Sequence, residues 1–437
     1  MAYPVVAPRG RRMSWRSLFL VLVAASARAD APADLPPLVL PTATELADLP
    51  AGTPVSRPLS PAAGPAPSVP PGDCPPLPAT TALMELAEVD HPLAHSWHTL
   101  ELLIWWPRAA PLPPLVAAGG ANGLTQTLIG GRSLDTPVGG GGRFTVGFAV
   151  NAEQTAGLSM TYLFLGTATS TTTAGDLLAP TTRAIARPVV RPDTGERDGV
   201  FVAQPGVSRG TVTASTTTRL TGWEVTGITN LYATSHARVN ALAGYRYLMV
   251  NEGLRVEQLT VFPGGPPVLF NAADQFDAHN RFHGGQLGLS ADLTHGAVFV
   301  EAAGKVALGQ GIAVVRSSGQ TVAVSPGPVL AYTQAGVLGQ PSNTGRFVSS
   351  GFAVVPEAIV KVGYRFADRS RFYVGYNFLF LSEAARPGQQ VDLTIDPKDV
   401  PIAGRGGVGG GADRPQPLLV RGDFWTQGLT FGLEYRY

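Results

Sequence analysis

The chain ends in the residues TFGLEYRY, Thr430–Tyr437, in which apolar and polar side chains alternate. A period of two is the signature of a β-strand, because successive side chains point to opposite faces of the sheet. Tyr435 and Tyr437 lie on one face of this strand, and Gly432 and Glu434 lie on the other. In water, an apolar edge strand of this kind is an aggregation hazard. The ending therefore favours a strand whose apolar face is covered by lipid over an ordinary edge strand.

The same alternation recurs through most of the chain before this ending. In the segment 143–151, Phe144, Val146 and Phe148 share one face, and Arg143 points to the other. The polar faces are rich in Gly, Ser, Thr and Asn, and the strands run for about ten residues or longer, the length that a tilted strand needs to cross a bilayer. A membrane barrel is apolar outside and polar inside, the reverse of a soluble sandwich. We therefore predict an all-β fold, a single antiparallel transmembrane β-barrel closed by the aromatic C-terminal strand. A secreted soluble β-protein is an alternative that requires the C-terminal pattern to be accidental.

The lengths of the connections support this topology, since bacterial barrels have short periplasmic turns and long outer loops. Counted back from the C-terminus, short and long connections alternate. When Trp97–Trp106 or Leu124–Gly130 is taken as the first strand, the barrel has about twelve strands, an even number as closure of such barrels requires. One connection departs from the alternation, because Ala233–Ser235 is short where an outer loop is expected. The predicted outer loops are 382–418, 310–355, 263–278 and 167–198, and the predicted periplasmic turns are 367–370, 294–296, 251–253, 208–210 and 152–155.

The composition of the chain excludes several classes of protein. Charged residues make up 14% of the 437 residues and the net charge is +1, whereas a nucleic-acid-binding protein needs a basic surface. The single cysteine, Cys74, excludes an intramolecular disulfide framework and a zinc site built on cysteines. So low a charged fraction is expected when much of the outer surface does not face water.

The N-terminal region predicts export. Arg9 to Arg16 form a basic stretch, Leu18–Ala25 is apolar, and Ala27-Arg28-Ala29 matches a cleavage site, so that residues 1–29 read as a secretory signal peptide. Residues 30–95 are rich in Pro and Ala and are predicted to form an extended periplasmic linker that contains Cys74. The barrel is then predicted to occupy residues 96–437, in the outer membrane of a double-membraned bacterium that the chain reaches by the Sec route.

Several segments resemble an outer-membrane β-barrel porin family, beta-barrel porin seven, over about Trp97 to Tyr437. The stretch NRFHGGQLG at Asn280–Gly288 is the most specific of them. The resemblance implies an outer-membrane barrel with a porin role, and it implies no catalytic residues. The other matching segments are Leu103–Trp106, Pro111–Val116, Gly244–Leu248, Glu252–Leu254 and Gly428–Tyr437.

Charged residues on the polar faces are the candidates for lining a pore, and they suggest a porin for passive diffusion of small hydrophilic solutes. Six are basic and three are acidic, which predicts a weak anion preference, since charged rings set selectivity in such pores. The alternative is a closed structural or adhesive barrel whose long outer loops bind a partner, because Phe299, Tyr373 and Leu379 also point inward and could fill the lumen. The candidate lumen residues are Arg143, Arg238, Arg246, Asp292, Glu301, Lys305, Glu357, Lys361 and Arg365.

The expected partners follow from the predicted fold. They are the outer-membrane lipid, the small hydrophilic solutes and the barrel-assembly machinery. The last is implied by the ending of the chain, which resembles the terminal strand by which outer-membrane barrels are recognised for assembly, with Thr430, Gly432, Tyr435 and Tyr437 in the matching positions. No nucleic acid, cofactor or metal is expected, and we predict that the protein is not an enzyme. Two other constellations are weak: Pro92 breaks any helix that would align His91, His95 and His98 for zinc, and nothing orients Ser290, Asp292 and His295 as a triad.

Overall fold

The computed structural model describes residues 95–120, 123–134, 137–325, 329–401 and 413–437. The predicted signal peptide, the predicted linker up to residue 94 and Cys74 lie outside these ranges. Within them, the regular structure consists of β-strands and one short 3-10 helix, Pro387–Gln390. No helix within the same ranges is long and apolar enough to span a membrane.

Fifteen strands are described in these ranges. They are β1 Ser96–Pro107, β2 Val116–Gly120, β3 Gly123–Ile129, β4 Gly139–Ala149, β5 Ala156–Asp176, β6 Ala184–Val190, β7 Arg197–Ala203, β8 Arg209–Ala233, β9 Ala237–Phe262, β10 Val268–His295, β11 Val298–Val324, β12 Val329–Thr333, β13 Gly345–Ala367, β14 Ser370–Ala385 and β15 Arg421–Arg436.

Ten of these strands form a closed antiparallel ring in the order β1, β4, β5, β8, β9, β10, β11, β13, β14, β15. The ring closes where β1 pairs with β15, from Trp97 opposite Arg436 to Pro107 opposite Thr426. Closure leaves the ring without a free edge that could template aggregation. The predicted single antiparallel barrel, closed by the aromatic C-terminal strand, is confirmed.

The ring has ten strands, not about twelve, for two reasons: the segment between 198 and 208 contributes β7 to a second sheet and no strand to the ring, and the expected turn at Asn251–Gly253 does not exist. These residues lie inside β9, and Glu252 is opposite Thr218 of β8 on one side and Ala278 of β10 on the other. Polar and small residues there mimic a turn signal. With both changes the exception in the loop pattern disappears, since Ala233–Ser235 moves to the side of the short turns. The predicted periplasmic turn 208–210 was wrong, because these residues lie where the long connection 177–208 enters β8, at the opposite end of the ring.

The two ends of the barrel differ in the length of their connections. At the end where the chain enters and leaves the ring, which we call the terminal end, the amide of Tyr437 donates to the carbonyl of Ser96 over 2.8 Å. The connections here are the short ones, 150–155, 234–236, 296–297 and 368–369. At the opposite end, which we call the cap end, the ring strands are joined by 108–138, 177–208, 263–267, 325–344 and 386–420. Four of these are long, whereas 263–267 is a short turn, because most of the predicted outer loop 263–278 belongs to β10.

The faces of the strands change polarity along the barrel. Near the terminal end, β10 exposes Leu287 (68%) and Leu289 (57%) on its outer face. Towards the cap end of β9 the outward residues become polar, as at Arg255, while the inward neighbours Leu254 and Val256 are fully buried. Because β10 has 28 residues and about ten suffice to cross a bilayer, the barrel continues well beyond its apolar outer band.

A second sheet covers the cap end. Its four strands have the order β3, β2, β6, β7, and their apolar side chains share one core with β8, β9 and β10 that includes Val116, Val202 and Phe270. Inside this core Arg187 of β6 lies 2.6 Å from Asp274 of β10, and neither side chain is exposed. The cap is therefore a packed layer and not a set of independent loops.

Candidate functional site: the barrel interior

The inner face of the ring carries a layer of ionised side chains, which we call the charged layer: Glu101, Arg143, Glu224, Arg246, Lys305 and Glu357. Each follows the alternation of its strand, and none has a side chain more than 12% exposed. Burying a charge is costly unless the charge is paired. These side chains come from six different strands, so only closure of the ring brings them together.

Glu357 lies at the centre of the charged layer. Its carboxylate is 3.3 Å from Arg143 Nη2 and 2.9 Å from Lys305 Nζ, and it also accepts a hydrogen bond from Arg246. Glu224 accepts from Arg246 and lies 2.7 Å from Lys305 Nζ. The layer is therefore one continuous network in which every cation contacts at least one carboxylate.

A second group of charges lies nearer the terminal end. Arg371 Nη2 donates to Glu434 over 2.9 Å, and Arg371 Nη1 is 3.3 Å from Asp292. Lys361 links this group to the charged layer, since its Nζ lies 3.3 Å from Glu301 and 3.5 Å from Glu101.

A cavity of about 480 Å³ opens at the terminal end and reaches the charged layer. All nine predicted lumen residues lie along its wall, from Arg143 to Arg365. Arg238 and Arg365 are exposed there and have no ion-pair partner among the described residues. The other seven are tied into the ionic network.

The sequence analysis missed several charged residues of the same wall. Glu101, Glu224, Arg371 and Glu434 also line the cavity, and each alternates with outward apolar neighbours, a signal that was present but not used. With them and Arg436 the wall has eight basic and six acidic side chains. It is thus closer to charge balance than the predicted set of six and three, which weakens the argument for anion preference.

An apolar layer, formed by side chains from nine of the ten ring strands, follows the charged layer towards the cap end. Trp105 and Phe282 are fully buried in it, and of its members only Leu163 touches the wall of the cavity. The Arg143 guanidinium lies 5.3 Å from the centre of the Trp105 ring, so that the two layers are in contact. The layer consists of Leu103, Trp105, Leu163, Leu165, Leu220, Leu248, Val250, Phe282, Ala307, Ala353, Val355, Leu379, Leu381, Ala384 and Phe424.

Beyond the apolar layer, the segment that follows β14 folds into the barrel. Asn280 of β10 bonds to both the carbonyl and the amide of Ala385, over 2.8 and 2.7 Å. The next residue, Arg386, is 1% exposed, pairs with Glu252 of β9, and donates to the carbonyls of Arg108 and Asp423. This segment therefore bridges opposite parts of the ring.

The predicted assembly residues divide into two pairs. Thr430 is fully buried and accepts from Trp105 Nε1 over 3.4 Å, and a Cβ on Gly432 would lie 2.1 Å from the ring of Tyr373. Tyr435 is 41% exposed on the outer face, and Tyr437 is 61% exposed at the rim of the barrel, where it also borders the cavity. The first pair thus serves internal packing, whereas the tyrosines are free to meet another molecule.

The weaker constellations of the sequence find no support as sites. No cluster of His, Cys, Asp and Glu suited to a metal occurs in the described ranges, and His91 lies outside them. Ser290 Oγ accepts from Asn240, and Asp292 contacts Arg371 and Thr294. No hydrogen bond between described residues joins His295 to either of them.

The family model described as Putative beta barrel porin-7 (BBP7) matches residues 97–437, which is well over half of the chain. The chain belongs to this family. No curated protein matches the sequence. The family match begins at β1 and ends with β15, so it covers the whole ring and the cap of this BBP7 member.

Solved barrels share only a general likeness with it. The outer membrane protease OmpT from Escherichia coli is 9% identical, with a TM-score of 0.41 over 79% of this chain and 97% of that chain. The Pseudomonas putida toluene transporter TodX is 7% identical with a TM-score of 0.20, over 78% and 90% of the two chains. A Pseudomonas aeruginosa FadL homologue is 9% identical with a TM-score of 0.19, over 78% and 90%. At such scores these likenesses do not bear on the function of this chain.

Proposed function

We propose that this family member is a closed outer-membrane barrel whose terminal end faces the periplasm and whose cap presents the functional surface to the exterior. The observation that carries the proposal is the apolar layer, one cluster of almost fully buried side chains from nine of the ten ring strands. A porin for passive diffusion needs a continuous water path, and a hydrophilic solute would lose its hydration in such a layer.

Three further features support a closed state. The charged layer is neutralised internally, so it offers few free charges to a passing ion. The Arg386 segment bridges the lumen on the far side of the apolar layer. The sheet β3–β2–β6–β7 then covers the cap end with a packed core.

Conductance tests this proposal directly. The refolded barrel, verified by heat-modifiable gel mobility, should give no stepwise current in a planar bilayer, while a known open porin in the same bilayer supplies the positive control. Liposome swelling with small sugars should likewise match protein-free vesicles. Stable single-channel steps from the unmodified barrel would instead establish a pore and return the function to passive diffusion.

The export and assembly of the chain give a second expectation. Because Tyr435 and Tyr437 are both exposed, the double variant Tyr435→Ala/Tyr437→Ala should fold normally in detergent but should reach the outer membrane of cells at a reduced level. Heat-modifiable gel mobility measures the folded fraction both of the protein refolded in detergent and of the protein in cell outer membranes. The matched control is Tyr332→Ala/Tyr364→Ala, at exposed positions away from the C-terminus. Equal membrane levels for both variants would argue against a recognition role.

A further inference from the structure

Arginines border the apolar outer band on one side of the barrel. From the terminal end towards the cap end, the first Asp, Glu, Lys or Arg on the outer face is an arginine on each of five neighbouring strands. The alternation sets these side chains outward: Arg281, for example, lies between Asn280 (3%) and Phe282 (0%), which point inward. We call these residues the arginine arc: Arg219 on β8, Arg255 on β9, Arg281 on β10, Arg316 on β11 and Arg346 on β13.

The arc lies next to the exposed apolar surface of the same strands. On β11 and β13 the apolar face continues to Val314 and Val348, which are paired, and the next outward position on each strand is Arg316 and Arg346. Val348 is 46% exposed and Phe352, further along the same face, is 66% exposed. If the apolar band lies in the hydrocarbon core of the bilayer, the guanidinium groups lie at the level of the outer lipid headgroups.

The charges of the arc are incompletely balanced by the protein. Arg316 lies directly opposite Arg346 in the β11–β13 ladder, and like charges in that position destabilise a sheet. Neither of them, nor Arg281, has an ion-pair partner among the described residues. The carboxylates of this surface are Asp277, opposite Arg316, and Glu257, which pairs with Arg255 over 2.5 Å.

We propose that the arginine arc binds phosphate groups of anionic lipid headgroups in the outer leaflet. Guanidinium groups match phosphate oxygens with two parallel hydrogen bonds, and a basic cluster beside a membrane surface attracts anionic headgroups. A bound phosphate would offset the repulsion between Arg316 and Arg346. This inference depends on outer-membrane placement, and it holds whether the lumen is closed or open.

The test compares lipid binding by two charge-matched triple variants of the full barrel in detergent micelles. The first is Arg281→Gln/Arg316→Gln/Arg346→Gln, and the control is Arg132→Gln/Arg183→Gln/Arg197→Gln, which removes three exposed arginines of the cap. Bisphosphorylated lipid A is titrated onto each protein, with the dephosphorylated lipid as a parallel probe, and bound lipid is counted by native mass spectrometry.

The unmodified barrel and the control should prefer the phosphorylated lipid. Each arginine removed should weaken lipid binding about fivefold, so the triple variant of the arginine arc should bind the phosphorylated lipid roughly 100-fold more weakly. Excess inorganic phosphate distinguishes a lipid site from a free-anion site, since it should not displace the lipid. Equal binding by the two variants, or full displacement by inorganic phosphate, would overturn the proposal.

Heat-modifiable mobility confirms folding of each variant, and the single variant Arg346→Gln provides the same comparison if the triple variant does not fold. Conductance of the same samples reports separately on the closed state.

Discussion

Replacing Glu357 by glutamine should lower the free energy of unfolding by about 3–5 kcal/mol, the usual effect of removing one partner from a buried ion pair. The carboxylate of Glu357 contacts Arg143, Arg246 and Lys305, and its side chain is only 1% exposed. Glutamine keeps the shape but removes the charge, so the three cations are left with too few anions in a water-poor interior. Guanidinium unfolding of the folded barrel in micelles, followed by tryptophan fluorescence, measures the change.

Glu257→Gln is the matched control for this prediction. Glu257 also pairs with an arginine, Arg255, but both side chains are nearly half exposed, and exposed pairs contribute about 0–1 kcal/mol. If Glu357→Gln were as mild as Glu257→Gln, the charged layer would have to be hydrated and open to water. That result would place water from the cavity among these charges, and it would leave the apolar layer, which carries the closed-barrel proposal, unaffected.

Replacing Arg386 by methionine should also destabilise the barrel by about 3–5 kcal/mol, because Glu252 then remains buried without its cation. The methionine keeps the contact with Phe424, whose ring lies 5.5 Å from the guanidinium carbon. The bonds to the carbonyls of Arg108 and Asp423 are lost, so the segment after β14 should also become more sensitive to protease. Unfolding curves and limited proteolysis in micelles report the two effects.

The double variant Arg386→Met/Glu252→Leu separates the unpaired charge from the loss of packing. Since an apolar pair can replace a buried ion pair at little cost, it should recover most of the stability. Arg414→Met is the exposed control, because the Arg414 side chain is 41% exposed beside Asp392, and it should change stability by less than about 1 kcal/mol. A double variant no more stable than Arg386→Met would show that the ion pair does more than neutralise charge.

Local patterns explain what could be predicted about the fold. The alternation identified the barrel and its closing strand, and it assigned Arg143, Glu301 and Lys361 to the inner face, where all three now line the cavity. It failed in the cap-end halves of β8 to β10, where outward residues turn polar and inward ones turn apolar. When these halves are interpreted as loops, and Asn251–Gly253 as a turn, the predicted strands are too many and too short.

The residues missed at the site have a similar explanation. Glu101 is a single charge between Leu100 and Leu102, which are both more than half exposed, and a strand with one inward charge resembles a strand with none. Glu434 was assigned to the polar face of the last strand but not to the lumen set. Nothing in the local sequence of either residue reveals the partner that neutralises it.

An antiparallel barrel with an apolar exterior could be predicted from the chain's residues alone, because side-chain alternation is a local property of each strand. The apolar layer and the charged layer inside the barrel, in contrast, form only when the ring closes. Arg143 and Glu357 are 214 residues apart, and the segment at Arg386 is paired with a strand 134 residues before it. Ion pairs of this kind depend on the register and closure of the ring, which are set by all ten strands together.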